Sequence, residues 1–426
     1  MPNASRDAVE SPYAWARLAM SLLLMTIGGS GMYSITVVLP RMQQDFGIDR
    51  GGASLPYTLT MIGFGIGGIL MGRIADRFGV MLVVMVGAVG LGAGYILASF
   101  APGLAWFGFA QGLFIGMLGT SATFAPLVAD TSRWFDRRRG IALAICMSGN
   151  YTAGAFWPPV MQYFIDAAGW RQTYLGMGIF CIATMVPMAL FLRRRPPVQE
   201  VVAAPATAAA GAFAGRVDAK RPLGLPPNVL LALLSLAGVS CCVAMSMPQV
   251  HIVAYCGDLG FGAARGAEML SLMLGLGVVS RLVSGWISDR IGGLRTLLLG
   301  SLLQGIALLM FLPSDSLVSL YVVSGLFGLF QGGIVPAYAL IVREYFPPQE
   351  AGARVGTVLM ATLLGMALGG WMSGAVFDLT GSYRAAFLNG IAWNLLNLSI
   401  VGFLLWRASS LGLITGWPRS GGRAAA

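Results

Sequence analysis

The sequence predicts an all-α integral membrane protein with twelve transmembrane helices in two pseudo-symmetric six-helix halves. Three observations carry this. The 426 residues are 57% hydrophobic and only 10% charged, with a mean hydropathy of +0.76, more apolar side chain than a soluble fold can cover. Long apolar runs recur along the chain, each near the ~20 residues that a helix needs to cross hydrocarbon. A short glycine–acid–base motif occurs twice, at matching places in the two halves.

In lipid the backbone must pair with itself, and the runs lack the alternation of barrel strands, so each is read as a helix. The first, 18–39, is too long for a signal-peptide core and stays in the mature protein; it carries Tyr33. The second, 54–72, leads into "GRIADRFG" (Gly72–Gly79). The third, 80–100, is followed by the fourth, 103–129, which holds Gln111-Gly112 and runs into "FAPLVADTSRWF" (Phe124–Phe135). The fifth, 140–163, carries Asn150 and Tyr151; Trp157 before Pro158-Pro159 is expected to mark its end near the interface. "GWRQTY" (Gly169–Tyr174) enters the sixth, 172–192.

Residues 193–228 change character, to Pro, Ala, Gly and charge without apolar period, and read as a linker between halves 18–192 and 229–406. Residues 1–17 and 407–426 are tails. The seventh run, 229–253, carries Gln249 and His251. The eighth, 269–288, carries Arg281 and leads into "GWISDRIG" (Gly285–Gly292), the second copy of the motif. The ninth is 294–312. The tenth, 317–342, holds Gln331 and Tyr338 and contains most of "VPAYALIVREYF" (Val335–Phe346), an echo of the fourth. The eleventh, 355–377, has no basic residue, and "SYRAAF" (Ser382–Phe387) enters the twelfth, 385–406. Three paired echoes point to a parallel repeat, a transporter architecture with its site between the halves.

Charge is arranged by topology. If both termini are cytoplasmic, the tails and even-to-odd loops hold 21 of the 27 basic residues; Arg41, Arg50, Arg171, Arg265 and Arg384 lie opposite. This positive-inside asymmetry fixes the expected orientation. The net charge of +10 is then no sign of nucleic-acid binding. The expected location is a plasma membrane, by its short outer loops a bacterial inner membrane. The five cysteines have no metal spacing and read as packing residues. No nucleophile–base set or phosphate loop stands out, so neither enzymatic activity nor a cofactor or metal is expected.

One basic residue remains, Arg281, deep in a span. A charge there costs at least ~2.5–3.5 kcal/mol, so it faces a cavity and does something, or snorkels to the headgroups. No acidic residue lies mid-span to neutralise it, which makes the substrate its candidate counter-ion; a guanidinium fits a carboxylate with two parallel hydrogen bonds. Tyr33, Asn150, Tyr151, Gln249, His251, Gln331 and Tyr338 are polar candidates for the same cavity, each with interhelical bonding as its plainer role. Close packing at Gly332-Gly333 is the plainer role for Gln331. His251, the only histidine, could carry a proton. In the doubled motif, Gly72 and Gly285 would let helix ends approach, and Asp76-Arg77 and Asp289-Arg290 would pair with neighbouring helices or cap them, forming a conformational gate.

Twelve spans, a central linker and the doubled motif resemble the major facilitator superfamily of secondary transporters, over about residues 15–408. Three stretches, "GGSGMYSITVVLPRMQQDFGI" (Gly28–Ile48), "RWFDRRRGIALAICMSGNYTAGAFWPP" (Arg133–Pro159) and "GLGVVSRLVSGWISDRIG" (Gly275–Gly292), resemble its monocarboxylate transporter and oxalate–formate antiporter branch. The resemblance implies that Arg281 is the carboxylate's partner and that Ser148, Gly149 and Asn150 border the pathway. The sequence also departs from that branch. Tyr33 stands where many members have a lysine, Gly277 where they have an aspartate one turn before the arginine, and the eleventh span lacks the antiporter's second cation. Gly108 replaces the arginine of the drug–proton antiporter signature. The expected function is alternating-access carriage of a small monocarboxylate or short dicarboxylate, as exchanger, uniporter or proton symporter, by a monomer in the bilayer. An exporter of apolar or cationic compounds is the alternative and would want a membrane-embedded acid. A ligand sensor would want a larger output domain than this linker.

Overall fold

The computed structural model describes residues 9–136, 138–194 and 222–413, apart from the side chains of Pro348 and Gln349. Most of the expected linker and tails, with Arg6, Arg137, Arg195, Arg216, Lys220, Arg221, Arg419 and Arg423, lies outside the described residues. Twelve helical spans follow in chain order: α1 Pro12–Phe46, α2 Arg50–Phe78, α3 Val80–Ser99, α4 Leu104–Trp134, α5 Arg139–Ala168 and α6 Trp170–Leu190. After the linker come α7 Pro227–Asp258, α8 Ala263–Ile291, α9 Gly293–Phe311, α10 Leu317–Tyr345, α11 Pro348–Thr380 and α12 Tyr383–Ser410. Most run several residues past the apolar stretch that predicts them, because polar caps and first turns outside the hydrocarbon are helical too.

Local chemistry sets the starts. Ser11, Asp49 and Ser382 accept hydrogen bonds from first-turn amides of α1, α2 and α12, and Ser316 with Ser319 forms a capping box on α10. Gly79 (φ 92°) and Gly292 (φ 82°), which close the two copies of the doubled motif, occupy backbone conformations that an L side chain resists. The motif's final glycine is thus a turn requirement met twice.

Eleven spans are apolar enough to cross a membrane as well as long enough. The twelfth, α5, has 30 residues but is more polar, with Ser148, Asn150, Tyr151 and Thr152 in succession near its middle. It also corrects one expectation: Trp157 does not end the helix. The chain stays helical through Pro158 and Pro159 to Ala168, and the buried Trp157 indole donates to the Thr26 carbonyl (2.7 Å) on α1.

Three spans are interrupted. α1 breaks for one residue at Gly29. α4 widens into a π-helical stretch, Ala110–Thr120, and breaks at Thr123 and Phe124; α10 breaks at Gly332 and Gly333. The α4 and α10 breaks fall at nearly equivalent places in the two halves. Between the halves, α2 packs on α11 and α5 on α8. All five cysteines are free and buried, as packing residues.

Within the first half, Arg17 and Asp130 form a buried, two-pronged ion pair (2.8 and 3.0 Å), with Tyr13 and the Trp134 ring against the guanidinium. Both side chains are at least 95% buried (relative exposure 2% and 5%). Removing one partner strands the other charge. Asp130→Ala is therefore expected to destabilise the protein by about 3–5 kcal/mol, read as a lowered thermal-unfolding midpoint in detergent, whereas Asp166→Ala, half of an exposed pair with Arg41, is expected to change it little.

Candidate substrate site

Arg281 sits where α8 crosses α5 and α10, on a seam between the halves. Its half-buried side chain lies against α5 and α10. The guanidinium lies 4.3 Å from the centre of the Tyr151 ring on α5. Nε donates to the Gly332 carbonyl and Nη1 to the Met147 carbonyl, both at 3.4 Å, long for hydrogen bonds. None of the ion pairs among the described residues involves Arg281.

The break in α10 explains the first of these contacts. Gly332 ends a half-helix whose last carbonyls have no helical donor and carry partial negative charge. α8 comes close enough to use them. A Cβ on Gly332 would lie 2.4 Å from the Gly277 carbonyl, and one on Gly333 2.0 Å from Ser284 Cβ. Ser280 Oγ meanwhile accepts from the Gly332 amide (3.1 Å). The packing expected of Gly332-Gly333 is present, and it delivers a carbonyl to Arg281.

Gly277 has an equally local reason. Its Cβ would stand 2.5 Å from the Tyr151 ring, so the ring occupies the space that an aspartate would need one turn before the arginine. Tyr33 completes the group: its ring is so near Gly154 that a Cβ there would be 2.8 Å from Tyr33 Cζ. Neither the Tyr33 nor the Tyr151 hydroxyl has a hydrogen-bond partner among the described residues. Asn150, beside Tyr151, has a buried Oδ1 without a partner, as has the Thr120 hydroxyl. Both line a small cleft with Met25, Gly29, Phe64, Thr123 and Phe124.

Arg281, Tyr151 and Tyr33 thus come together, while Asn150 faces the cleft lined by α1, α2 and α4. The other candidates make contacts of their own, and Gln331 adjoins the Gly332 that Arg281 touches. Gln249 donates to Gln331 (3.0 Å), a buried pair beside the α10 break. Tyr338 is locked into the second half, donating to Asn397 (3.0 Å), which donates to Ser301 (2.7 Å). Gln111 is similarly engaged with Tyr174 and Thr60. His251 is fully buried against the Gly370 carbonyl (2.8 Å) and the Tyr383 hydroxyl (3.4 Å).

At the doubled motif, Asp76 pairs with Arg133 (2.9 Å) of its own half, in an exposed contact. Arg77 lies over Phe78 and Arg290 over Trp286. The α9 amide terminus is capped by Glu344, through Gly293 N (3.0 and 3.2 Å), while Asp289 is exposed. A Cβ on Gly72 or Gly285 would meet nothing within 4 Å, so in this structure the helix ends there stand apart. The sequence reading missed the Met147 and Gly332 carbonyls, which no residue type announces, and Thr120, whose polar side chain inside an apolar run was the available signal.

A family profile described as Major Facilitator Superfamily matches residues 20–317 and 276–412. The chain belongs to the major facilitator superfamily. Among superfamily relatives, it is 28% identical to monocarboxylate transporter 13 of Rattus norvegicus, over 86% of this chain and 82% of that one. It is 25% identical to the uncharacterized MFS-type transporter YcxA of Bacillus subtilis (80% and 83%). In fold it resembles the crystal structure of a bacterial homologue of the human lysosomal transporter Spinster, with a TM-score of 0.65 at 14% identity over 95% and 97% of the chains. As a superfamily member it is a multi-span membrane transporter of a small molecule, not an enzyme.

The Gly277–Tyr151 contact is testable without a substrate. Gly277→Ala overfills the α5–α8 crossing and is expected to cost about 1–3 kcal/mol of stability, whereas Gly275→Ala, whose Cβ would have its nearest neighbour at 3.7 Å, is expected to be nearly neutral. Chemical denaturation of the two variants side by side measures the difference.

Proposed function

We propose that the protein carries a small organic anion, a monocarboxylate or short dicarboxylate, across a plasma membrane by alternating access, with Arg281 neutralising the carboxylate. The observation that carries this is the state of the Arg281 guanidinium: inside a membrane-spanning bundle, on a seam between halves, and held among the described residues by an aromatic face and two long contacts to carbonyls. A carboxylate would replace those contacts with shorter, charge-assisted ones. Tyr33, Tyr151 and Asn150 would orient the anion without adding charge. The halves 18–192 and 229–406, tied by the 193–228 linker, would rock about this site, with both termini in the cytoplasm of a bacterial cell. The resemblance to monocarboxylate transporters supports the same substrate class. With no acid beside Arg281 to take up a proton, exchange or uniport is the favoured coupling.

The test is uptake of labelled lactate, pyruvate, formate and oxalate into proteoliposomes, with and without internal anion. Arg281→Ala is expected to lower transport at least ~10-fold, the effect of losing about 1.5–3 kcal/mol of charge-assisted bonding. Equal transport by the variant would remove the carboxylate reading and leave the exporter alternative.

A further inference from the structure

Among the described residues, a dense set of polar contacts joins the halves at the opposite end of the bundle from the doubled motif. It centres on Arg50, the first residue of α2, which is 93% buried (relative exposure 7%) although it begins the helix. Its Nη1 donates to the Tyr383 hydroxyl (2.6 Å) and Nη2 to Asp258 (3.2 Å), both in the second half. The guanidinium also lies 4.9 Å from the Phe377 ring centre. The backbone joins in: Arg50 N and Gly51 N donate to the two carboxylate oxygens of Asp378 (2.9 and 2.6 Å). A residue of α11 therefore caps α2, where negative charge meets the positive end of the helix.

The seam is tight enough to require glycine. A Cβ on Gly374 would lie 2.8 Å from the Arg50 carbonyl and 2.9 Å from Ser54 Oγ. One turn further along, Thr58 donates to the Ala367 carbonyl (2.9 Å). His251 stands behind Tyr383, bonded to the Gly370 carbonyl and to the Tyr383 hydroxyl that Arg50 grips. At the other end, Asp76 pairs inside its own half and Gly72 and Gly285 face open space among the described residues.

We propose that Arg50 is the gate residue of the transport cycle, the hub of a latch that closes this end while the other is open. Asp378 and Asp258 are its catches, and His251 is a positioning residue that holds Tyr383 under the guanidinium. The latch is built to release. Arg50 Nε is buried without a partner, and Asp258 is 38% exposed, so opening hydrates groups that closure leaves short of bonds. The bonds of Arg50 and Gly51 to Tyr383, Asp258 and Asp378 cross from one half to the other, and all must break before the site can face this side.

The experiment measures distances between spin labels in the full chain, without substrate, so that it is independent of the carboxylate reading. One pair, Gln44→Cys with Ala264→Cys, spans the latched end at exposed positions of either half; the second, Gly72→Cys with Gly285→Cys, spans the opposite end. The native cysteines are buried. Arg50→Gln is expected to raise the ratio of long to short distances in the first pair about tenfold, the loss of about 1.4 kcal/mol, and to shorten the second pair. Unchanged distributions overturn the proposal. So does lengthening of the first pair with the second unmoved, which would make the cluster a local clasp. Should Arg50→Gln fail to fold, Asp378→Asn, which spares the guanidinium's own partners, is read in the same way against the same two outcomes.

Discussion

Hydrocarbon offers no partner to a peptide group, so every amide and carbonyl in this bundle must be satisfied by the protein. That constraint makes the chain helical, and it also gives each interruption a consequence. At Gly332 the helix gives up its own bonds, and the freed carbonyl is met by Arg281. At Gly29, Thr123 and Phe124 the interruptions of α1 and α4 adjoin the cleft that holds Asn150 and Thr120. Irregular backbone at membrane depth is tolerable only where it is buried in protein or lines a cavity, and in this molecule breaks in α1, α4 and α10 lie beside polar side chains. A transporter's site is thus partly a by-product of where its helices stop being helices.

The two largest seams between the halves differ in kind. The α5–α8 seam is joined by weak contacts of Arg281 and by Ser271 bonded to the Ala155 carbonyl. The α2–α11 seam is joined at one end by a dense set of charge-assisted bonds to Arg50 and its amide. In water, two exposed charges at this spacing would contribute little. Burial of Arg50 raises the stake on both sides, strengthening each bond and penalising each bond lost.

The fold was legible because its determinants are periodic: long apolar runs, basic residues sorted by side, and a repeated turn motif whose last glycine needs a positive φ in both copies. Arg281 was legible because a lone charge in an apolar run is costly wherever it points. What the sequence could not disclose is what depends on contacts between distant segments. Arg50 reads as one of five basic residues on the outer side, and nothing in "IDRGGASL" says that Asp378, some 330 positions away, caps its helix. Tyr338 and Gln331 look alike as polar residues in one span, yet Tyr338 is fixed to Asn397 and Gln331 lies beside the break. Backbone carbonyls, which supply the hydrogen-bond partners of Arg281, leave no trace in residue type.

The polarity of α5 has a consequence for how the molecule is made. A span with Ser148, Asn150, Tyr151 and Thr152 in its middle gains less than its neighbours by leaving water for lipid. Its partners are α1, through Trp157 and Thr26, and α8, which is synthesised more than a hundred residues later. For the interval between them, the helix that borders Arg281 is the one least at home in the bilayer. The same polarity that suits it to a transport path makes it the step in biogenesis most dependent on the remainder of the chain, or on assistance, to stay inserted.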